Sequence, residues 1–246
     1  MQITVVVPTY NEAESLPELV AALRALPVAL SLLVVDDNSP DGTGQLAKGL
    51  AADDASIHVL QRKAKEGLRS AYLDGFRLAL AEGAEAVLQM DADLSHDPQR
   101  IPAMIDRLQT ADMVLGSRYV TGGSVDRDWP RWRRALSAFG NLYARTILGM
   151  PSTDVTTGFR LWRRATLEGM PLDRIQSNGY VFLVEMAYLA HCLQYRIGEI
   201  PIHFTERRHG SSKMSLGIQA EAALRVWQVM WQYRDLRAQG RRARVA

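Results

Sequence analysis

Two kinds of apolar pattern alternate along the first half of the chain. Short runs rich in β-branched residues, ITVVVP (3–8), SLLVVDD (31–37), IHVLQR (57–62), AEAVLQMDAD (84–93) and DMVLGSR (112–118), predict buried strands. Between them, apolar residues recur at helical spacing. In SLPELVAALRAL these are Leu16, Leu19, Val20, Leu23 and Leu26, with Ser15 and Glu18 spaced as a capping box. GTGQLAKGLAA and LRSAYLDGFRLALAEG predict two further helices, and another starts at Pro98 and runs to about Leu108. Strict alternation of strand and helix predicts an α/β fold: a doubly wound, mostly parallel sheet with helices on both faces.

After residue 118 the alternation stops. VTGGSVDRDWPRWRR is a loop rich in Gly, Arg and Trp, and RALSAFGNLYARTILGM predicts a helix. TGFRLWRRATLEGM holds a short strand and a turn, GYVFLVEMAYLAHCL a helix, and YRIGEIPIHF an edge strand carrying Pro201. The last predicted helix is LGIQAEAALRVWQVMWQYRDLRA. Glu221, Arg225, Gln228, Gln232 and Asp235 share one of its faces; Ala223, Val226, Trp227, Met230, Trp231 and Tyr233 cover the others. It leads into a tail with Arg237, Arg241, Arg242 and Arg244. Such a helix suits an anionic membrane surface; docking on the domain is the alternative.

In doubly wound sheets, ligands bind outside the carboxyl ends of the strands. The first predicted strand ends in Pro8-Thr9-Tyr10-Asn11-Glu12, the second in Asp36-Asp37-Asn38-Ser39, the fourth in Asp91-Ala92-Asp93 and the fifth in Ser117-Arg118-Tyr119. Four polar strand ends on one edge mark a site. Asp91 and Asp93, two apart on a strand, would face the same side and repel unless a cation lies between them. A Mg²⁺ ion typically takes one or two carboxylates and leaves its other positions to phosphates. The competing use is helix capping, for which Asp97, just before Pro98, is the better placed. No Gly-x-Gly-x-x-Gly or Walker sequence follows the first strand, which excludes a standard dinucleotide or P-loop site. Of the adjacent Asp36 and Asp37 only one can face a nucleoside; Asp37 is assigned that place and Asp36 the ordering of the loop.

Charge separates along the chain. Residues 1–115 carry a net −8 and residues 116–246 a net +10, within an overall +2. An acidic half joined to an arginine-rich half fits a metal site meeting an anion site. The cations available are Arg118, then Arg207, Arg208 and Lys213 in the Gly/Ser-containing ERRHGSSK, which can close over a diphosphate or be a solvated loop. Arg127, Arg131, Arg133 and Arg134 form a second basic group, with Trp129 and Trp132 placed either for packing or for a membrane interface. One cysteine, Cys192, excludes an internal disulfide and suits a reducing cytosol. The start, MQITVVVP, shows no basic n-region or cleavage site, and no window holds 18 uncharged apolar residues, so neither a leader nor a spanning helix is expected.

VVVPTYNEAESL, VVDDNSPDGT, MDADLSHDP, GSRYVTGG, TTGFRLWRR and ERRHGSSKMS occur in that order between residues 3 and 217. Together they resemble family 2 glycosyltransferases of GT-A fold, and most of all polyprenyl- or dolichyl-phosphate mannose synthases. The resemblance implies a GT-A catalytic domain over 1–216, followed by the amphipathic helix and basic tail at 217–246. It implies a GDP-mannose donor, a polyprenyl (dolichyl-type) phosphate acceptor, a Mg²⁺ or Mn²⁺ ion and an inverting transfer that gives a β-linked product. Pro8, Tyr10, Glu12, Val35 and Asp37 would hold the nucleoside. Asp91, Ala92 and Asp93 would form the metal motif, with Ser95, standing where many relatives have a longer Gln, as a further metal contact. Arg118, Arg207 and Lys213 would contact phosphates and, with Asp93, carry catalysis. Arg131 and Arg134 are the acceptor-phosphate candidates. Many bacterial relatives add membrane spans at the C-terminus; this chain has none, so a peripheral place on the cytoplasmic face of a membrane is expected. The alternatives are a polyprenyl-phosphate glucosyltransferase using UDP-glucose, a soluble sugar nucleotidyltransferase, and a non-catalytic nucleotide-sugar or nucleic-acid binder. The acidic rim opposes a nucleic-acid backbone, and no nucleic-acid partner is expected.

Overall fold

The computed structural model describes residues 1–126, 128–206 and 216–245, with side chains of the last stretch described over 221–239. Arg127, Arg207, Arg208 and Lys213, all singled out above, lie outside these residues. In chain order the elements are β1 (Ile3–Thr9), α1 (Ser15–Arg24), β2 (Ser31–Asp36), α2 (Thr43–Asp53), β3 (Ile57–Gln61), α3 (Leu68–Ala81), β4 (Ala86–Gln89), α4 (Ile101–Leu108) and β5 (Met113–Ser117). They continue with β6 (Ser124–Val125), α5 (Arg131–Leu148), β7 (Arg160–Arg163), α6 (Arg164–Gly169), α7 (Gly179–Cys192), β8 (Ile197–Pro201), β9 (His203–Phe204), α8 (Leu216–Gln232) and α9 (Arg234–Val245).

The described residues form a seven-stranded sheet in the order β3-β2-β1-β4-β7-β5-β8, with β8 and its Pro201 at the edge as expected. The strand runs are apolar throughout because both faces are covered. Val5 and Val7 of β1 pack with Leu16, Leu19 and Leu23 of α1 and Met104 and Leu108 of α4. Val6 points to the opposite face, among Leu33, Phe76 of α3 and Phe182 of α7. The pairings are parallel except at β7, which runs antiparallel between β4 and β5. A chain returning through TTGFRLWRR thus separates two strands that simple alternation would have made neighbours.

Three local expectations change. β4 ends at Gln89, so Asp91 and Asp93 stand on the loop beyond the strand, where Leu94 takes a positive φ of 59°. Ser15 lies inside α1 and makes no cap; its hydroxyl donates to the Glu12 carboxylate at 2.6 Å. The final helix breaks at Tyr233, and the basic tail stays helical to Val245.

The docking of that helix also differs from the pattern read off its sequence. Val226, Val229 and Tyr233 are buried against the domain, and α8 packs on α5 and α7. One member of the polar stripe faces inward: Gln232 donates to the Glu185 carboxylate at 3.2 Å, beside the buried Tyr233, which donates to it at 2.8 Å; Asp235, exposed, pairs with Arg174 at 2.8 Å. Leu224, Trp227 and Trp231 remain exposed. The helix is docked on the domain and still presents an apolar face outward. Cys192 is buried, as its surroundings predict.

Candidate active site

The carboxyl ends of β1 and β2 are stitched together first. Register places Thr9 beside Asp36, and the Asp37 amide donates to the Thr9 carbonyl at 3.0 Å. Asp36, fully buried, accepts from Thr9 Oγ1 at 2.9 Å, the Ser39 amide at 3.1 Å, Ser39 Oγ at 2.5 Å and Gln61 Nε2 at 2.7 Å. It orders the loop, as its assignment required. The Asn11 amide donates to Ser39 Oγ and the Glu12 amide to Thr43 Oγ1, which anchors the Tyr10–Glu12 turn to the second strand end. Tyr10 lies half-buried beneath the Lys65 ammonium, 3.5 Å from its ring centroid. Pro8 and Val35 sit opposite each other in the β1–β2 ladder, below this rim.

Asp37 is nearly buried and pairs with Arg62 at 2.5 Å. Arg62 also reaches Glu66 at 2.6 Å and Asp74 at 3.3 Å. Burial pushes the Asp37 carboxyl above the usual carboxylate value, against the pull of Arg62 and the amides of Gly67 and Glu66. Gly67, at φ 93°, makes the turn that brings those amides round. Sequence reading missed Arg62; a basic residue closing a strand that lies beside one ending in Asp36-Asp37 was the available signal.

The second acidic pair is wired differently. Asp93 Oδ1 accepts from the Ser95 amide at 3.1 Å and from Ser95 Oγ at 2.6 Å. Asp91 Oδ1 accepts from the Tyr72 hydroxyl at 3.2 Å, and the Asp91 amide donates to His96 Nδ1 at 3.3 Å. Asp91 and Asp93 both raise the pKa of the Tyr72 phenol, already lifted well above its ordinary value by burial. Asp91 meets that phenol directly, while Asp93 is bonded to Ser95. Asp97 caps the 3₁₀ turn at Pro98–Arg100 by accepting from the Gln99 amide at 3.0 Å, as predicted.

Hard carboxylate oxygens suit Mg²⁺ or Mn²⁺ completed by phosphate oxygens. Among the described residues no group of three or more His, Cys, Asp or Glu is placed to hold a metal alone. A two-carboxylate site that shares its ion with a nucleotide diphosphate needs none.

Arg118 leaves β5 at the same rim but is engaged from below. Its Nε donates to Asp154 Oδ2 at 2.7 Å, and Nη2 donates to Asp154 Oδ1 at 2.9 Å and Thr156 Oγ1 at 2.7 Å. Burial acts to lower the Arg118 pKa, yet Asp154 holds it above its ordinary value. Asp154, unmentioned by the sequence reading, is fully buried, and Glu199 of β8 accepts from its amide at 3.2 Å and from Thr153 Oγ1 at 2.7 Å. Arg160 on β7 is fully buried too. Its Nε and Nη2 reach the carbonyls of Thr157 and Val155, its Nη1 has no partner, and burial pushes its pKa down to about 9.

At the start of α5, Arg131 is exposed and Arg134 half-buried. Arg133 instead pairs with Glu206 at 2.6 Å and lies 4.0 Å over the Trp129 ring. Trp129 is a packing residue, 5% exposed, whereas Trp132 is 67% exposed. Phe139 and Leu142 on α5 are exposed as well, and Trp227 Nε1 of α8 donates to Tyr143 Oη at 2.8 Å. α5 and α8 together thus carry most of the large exposed apolar side chains among the described residues.

Comparison with known proteins agrees with this architecture. A model described as glycosyl transferase family 2 matches residues 4–170. The undecaprenyl-phosphate mannosyltransferase of Micrococcus luteus is 46% identical over 240 residues, covering 97% of this chain and 98% of that protein. The polyprenol monophosphomannose synthase of Mycolicibacterium smegmatis is 44% identical over 225 residues, covering 90% of this chain and 84% of its own. Among solved structures, a mannosyltransferase from Pyrobaculum calidifontis in complex with GDP-Man and Mn²⁺ superposes with a TM-score of 0.54 at 18% identity, over 98% of this chain and 74% of that one. That likeness is one of fold. No helix among the described residues is long and apolar enough to cross a membrane.

Proposed function

Because the chain belongs to glycosyl transferase family 2, we propose that it moves mannose from GDP-mannose to a polyprenyl phosphate, with inversion. The observation that carries this reading is the full-length likeness to the Micrococcus luteus undecaprenyl-phosphate mannosyltransferase. The fold neighbour in complex with GDP-Man and Mn²⁺ supports the donor and the ion.

In this reading Pro8, Tyr10, Glu12, Val35 and Asp37 frame the nucleoside. Asp91 and Asp93 hold Mg²⁺ or Mn²⁺, Ala92 lies between them against the diphosphate, and Ser95 keeps Asp93 in place through its hydroxyl. The ion, when bound, supplies positive charge to the departing diphosphate. Arg118, Arg207 and Lys213 are assigned to the phosphates, and Arg131 and Arg134 to the acceptor phosphate at the start of α5. An oxygen of that phosphate, already anionic near neutral pH, bonds to the sugar C1 while the C1–O bond to GDP breaks. No proton need be removed from the nucleophile, so the protein's part is positioning and charge stabilisation. Attack opposite the leaving group turns an α-linked donor into a β-linked lipid-phosphate sugar.

Residues 1–216 are taken as the catalytic domain and 217–246 as an appended membrane-facing element. Leu224, Trp227 and Trp231, with Trp132, Phe139 and Leu142, form the apolar side of a peripheral contact on the cytoplasmic face, and the arginines of α9 meet anionic head groups. The test supplies radiolabelled GDP-mannose or UDP-glucose with a polyprenyl phosphate, with and without EDTA. Mannose transfer to lipid that EDTA abolishes is expected. Transfer only from UDP-glucose moves the assignment to a glucosyltransferase, and metal-independent transfer or none to lipid overturns it.

A further inference from the structure

Tyr72 of α3 is a fully buried phenol that no role described so far uses. Its ring is fixed on two sides, stacked on Phe182 at 6.1 Å and tilted on Phe76 at 5.7 Å. Phenylalanine would fill this space equally well, so packing alone does not call for a hydroxyl. That hydroxyl lies 3.1 Å from the Met90 carbonyl and 3.2 Å from Asp91 Oδ1, one proton shared between backbone and carboxylate.

The place matters because β4 stops at Gln89. Beyond it the backbone keeps only a long bond to β1 among those described, the Met90 amide donating to the Val6 carbonyl at 3.4 Å, and Asp91 is the first acid past the last strand residue. A rigid donor reaching up from the helix layer links that backbone to the carboxylate. Asp93 has a local device, the Ser95 amide and hydroxyl. Asp91 has a non-local one, from nineteen residues earlier.

We propose that Tyr72 is a positioning residue for the divalent cation, its hydroxyl setting the orientation in which the Asp91 carboxylate meets the ion. The inference rests on the reading of Asp91 as a metal ligand. Partners of this kind, one bond behind a ligand, typically govern metal affinity by about 10–100-fold.

The test measures the Mn²⁺ dissociation constant by electron paramagnetic resonance, with GDP present, for wild type, Tyr72→Phe and Phe76→Leu. Phe76→Leu loosens the same packing but keeps the hydroxyl. Expected is a roughly tenfold or greater weakening in Tyr72→Phe, little change in Phe76→Leu, and an unchanged GDP affinity in EDTA. Transfer at saturating Mn²⁺ should recover most of the Tyr72→Phe loss. Equal Mn²⁺ affinity in wild type and Tyr72→Phe overturns the proposal while leaving the metal reading intact. Equal weakening in both variants assigns the residue to packing and also overturns it. A wild type that binds no Mn²⁺ removes the metal reading and this inference with it.

Discussion

The two acidic pairs at the sheet's rim look alike in sequence and differ in their partners. Asp36 and Asp37 are adjacent and point apart. One is spent on Thr9, Ser39 and Gln61, the other on the Arg62 guanidinium. Asp91 and Asp93 have one residue between them, and the bonds described to them come from a phenol, a hydroxyl and an amide. A carboxylate held by a guanidinium has its charge answered within the protein. In the bonds described, Asp91 and Asp93 meet neutral donors, as the buried Asp36 also does. In the proposed function the first pair belongs to the nucleoside wall and the second to the metal.

The sharpest way to break this contrast is to remove the guanidinium. Arg62→Ala leaves Asp37 buried without its cation and is expected to cost about 3–5 kcal/mol, read from urea unfolding. Asp93→Ala is expected to leave unfolding nearly unchanged while lowering transfer by about 100-fold or more, on the scale of a lost charge-stabilising group. If Asp93→Ala is instead the destabilising variant, the second pair is scaffold as well. A third test uses pH. Burial pushes the Asp154 carboxyl up, but Arg118 pulls it further down, below its ordinary value. Its contribution is complete above about pH 4, the unfolded value, and drains as pH falls through the folded one. Asp37, lifted by burial, runs the other way: its contribution is complete below about pH 4 and is lost as pH rises through its folded value. Unfolding measured from pH 2 to 7 should show Asp154→Asn flattening the acid limb and Asp37→Asn steepening the rise. The smallest effect concerns the far side of the molecule. Replacing Trp227 and Trp231 by Ser should weaken binding to anionic vesicles by roughly tenfold and shift unfolding by less than about 0.5 kcal/mol, as for exposed sites.

Strand and helix positions through residue 118 were legible because burial on both faces demands unbroken apolar runs and helices demand a period of 3.6. The ordering of the Asp36 loop through Ser39 and the cap at Asp97 were legible because both are local. The place of β7 was not, since a four-residue strand reading RLWR gives no sign of its partners. Arg160, basic in sequence and fully buried in the sheet, reads as a surface residue. Arg62, Asp154 and Tyr72 escaped notice for a related reason. Their meaning lies in contacts 25, 36 and 19 residues away. The inward turn of Gln232 and the surface pairing of Asp235 likewise depend on Glu185 and Arg174, and periodicity along one helix carries no information about either.

The antiparallel insertion of β7 bears on how the chain is made. During synthesis β1, β2, β3 and β4 emerge in sequence and can pair at once, leaving the open edge of β4 as a template for unwanted strands. β5 follows with no neighbour, because β4 accepts β7 and β8 has not yet appeared. The sheet closes only when residues 160–163 arrive and join both waiting strands in one step. Completion of the fold is therefore a late, non-local event of the kind that slows folding, and a nascent chain stopped before β7 carries the open edge of β4 and a β5 unpaired on both sides for a chaperone to cover.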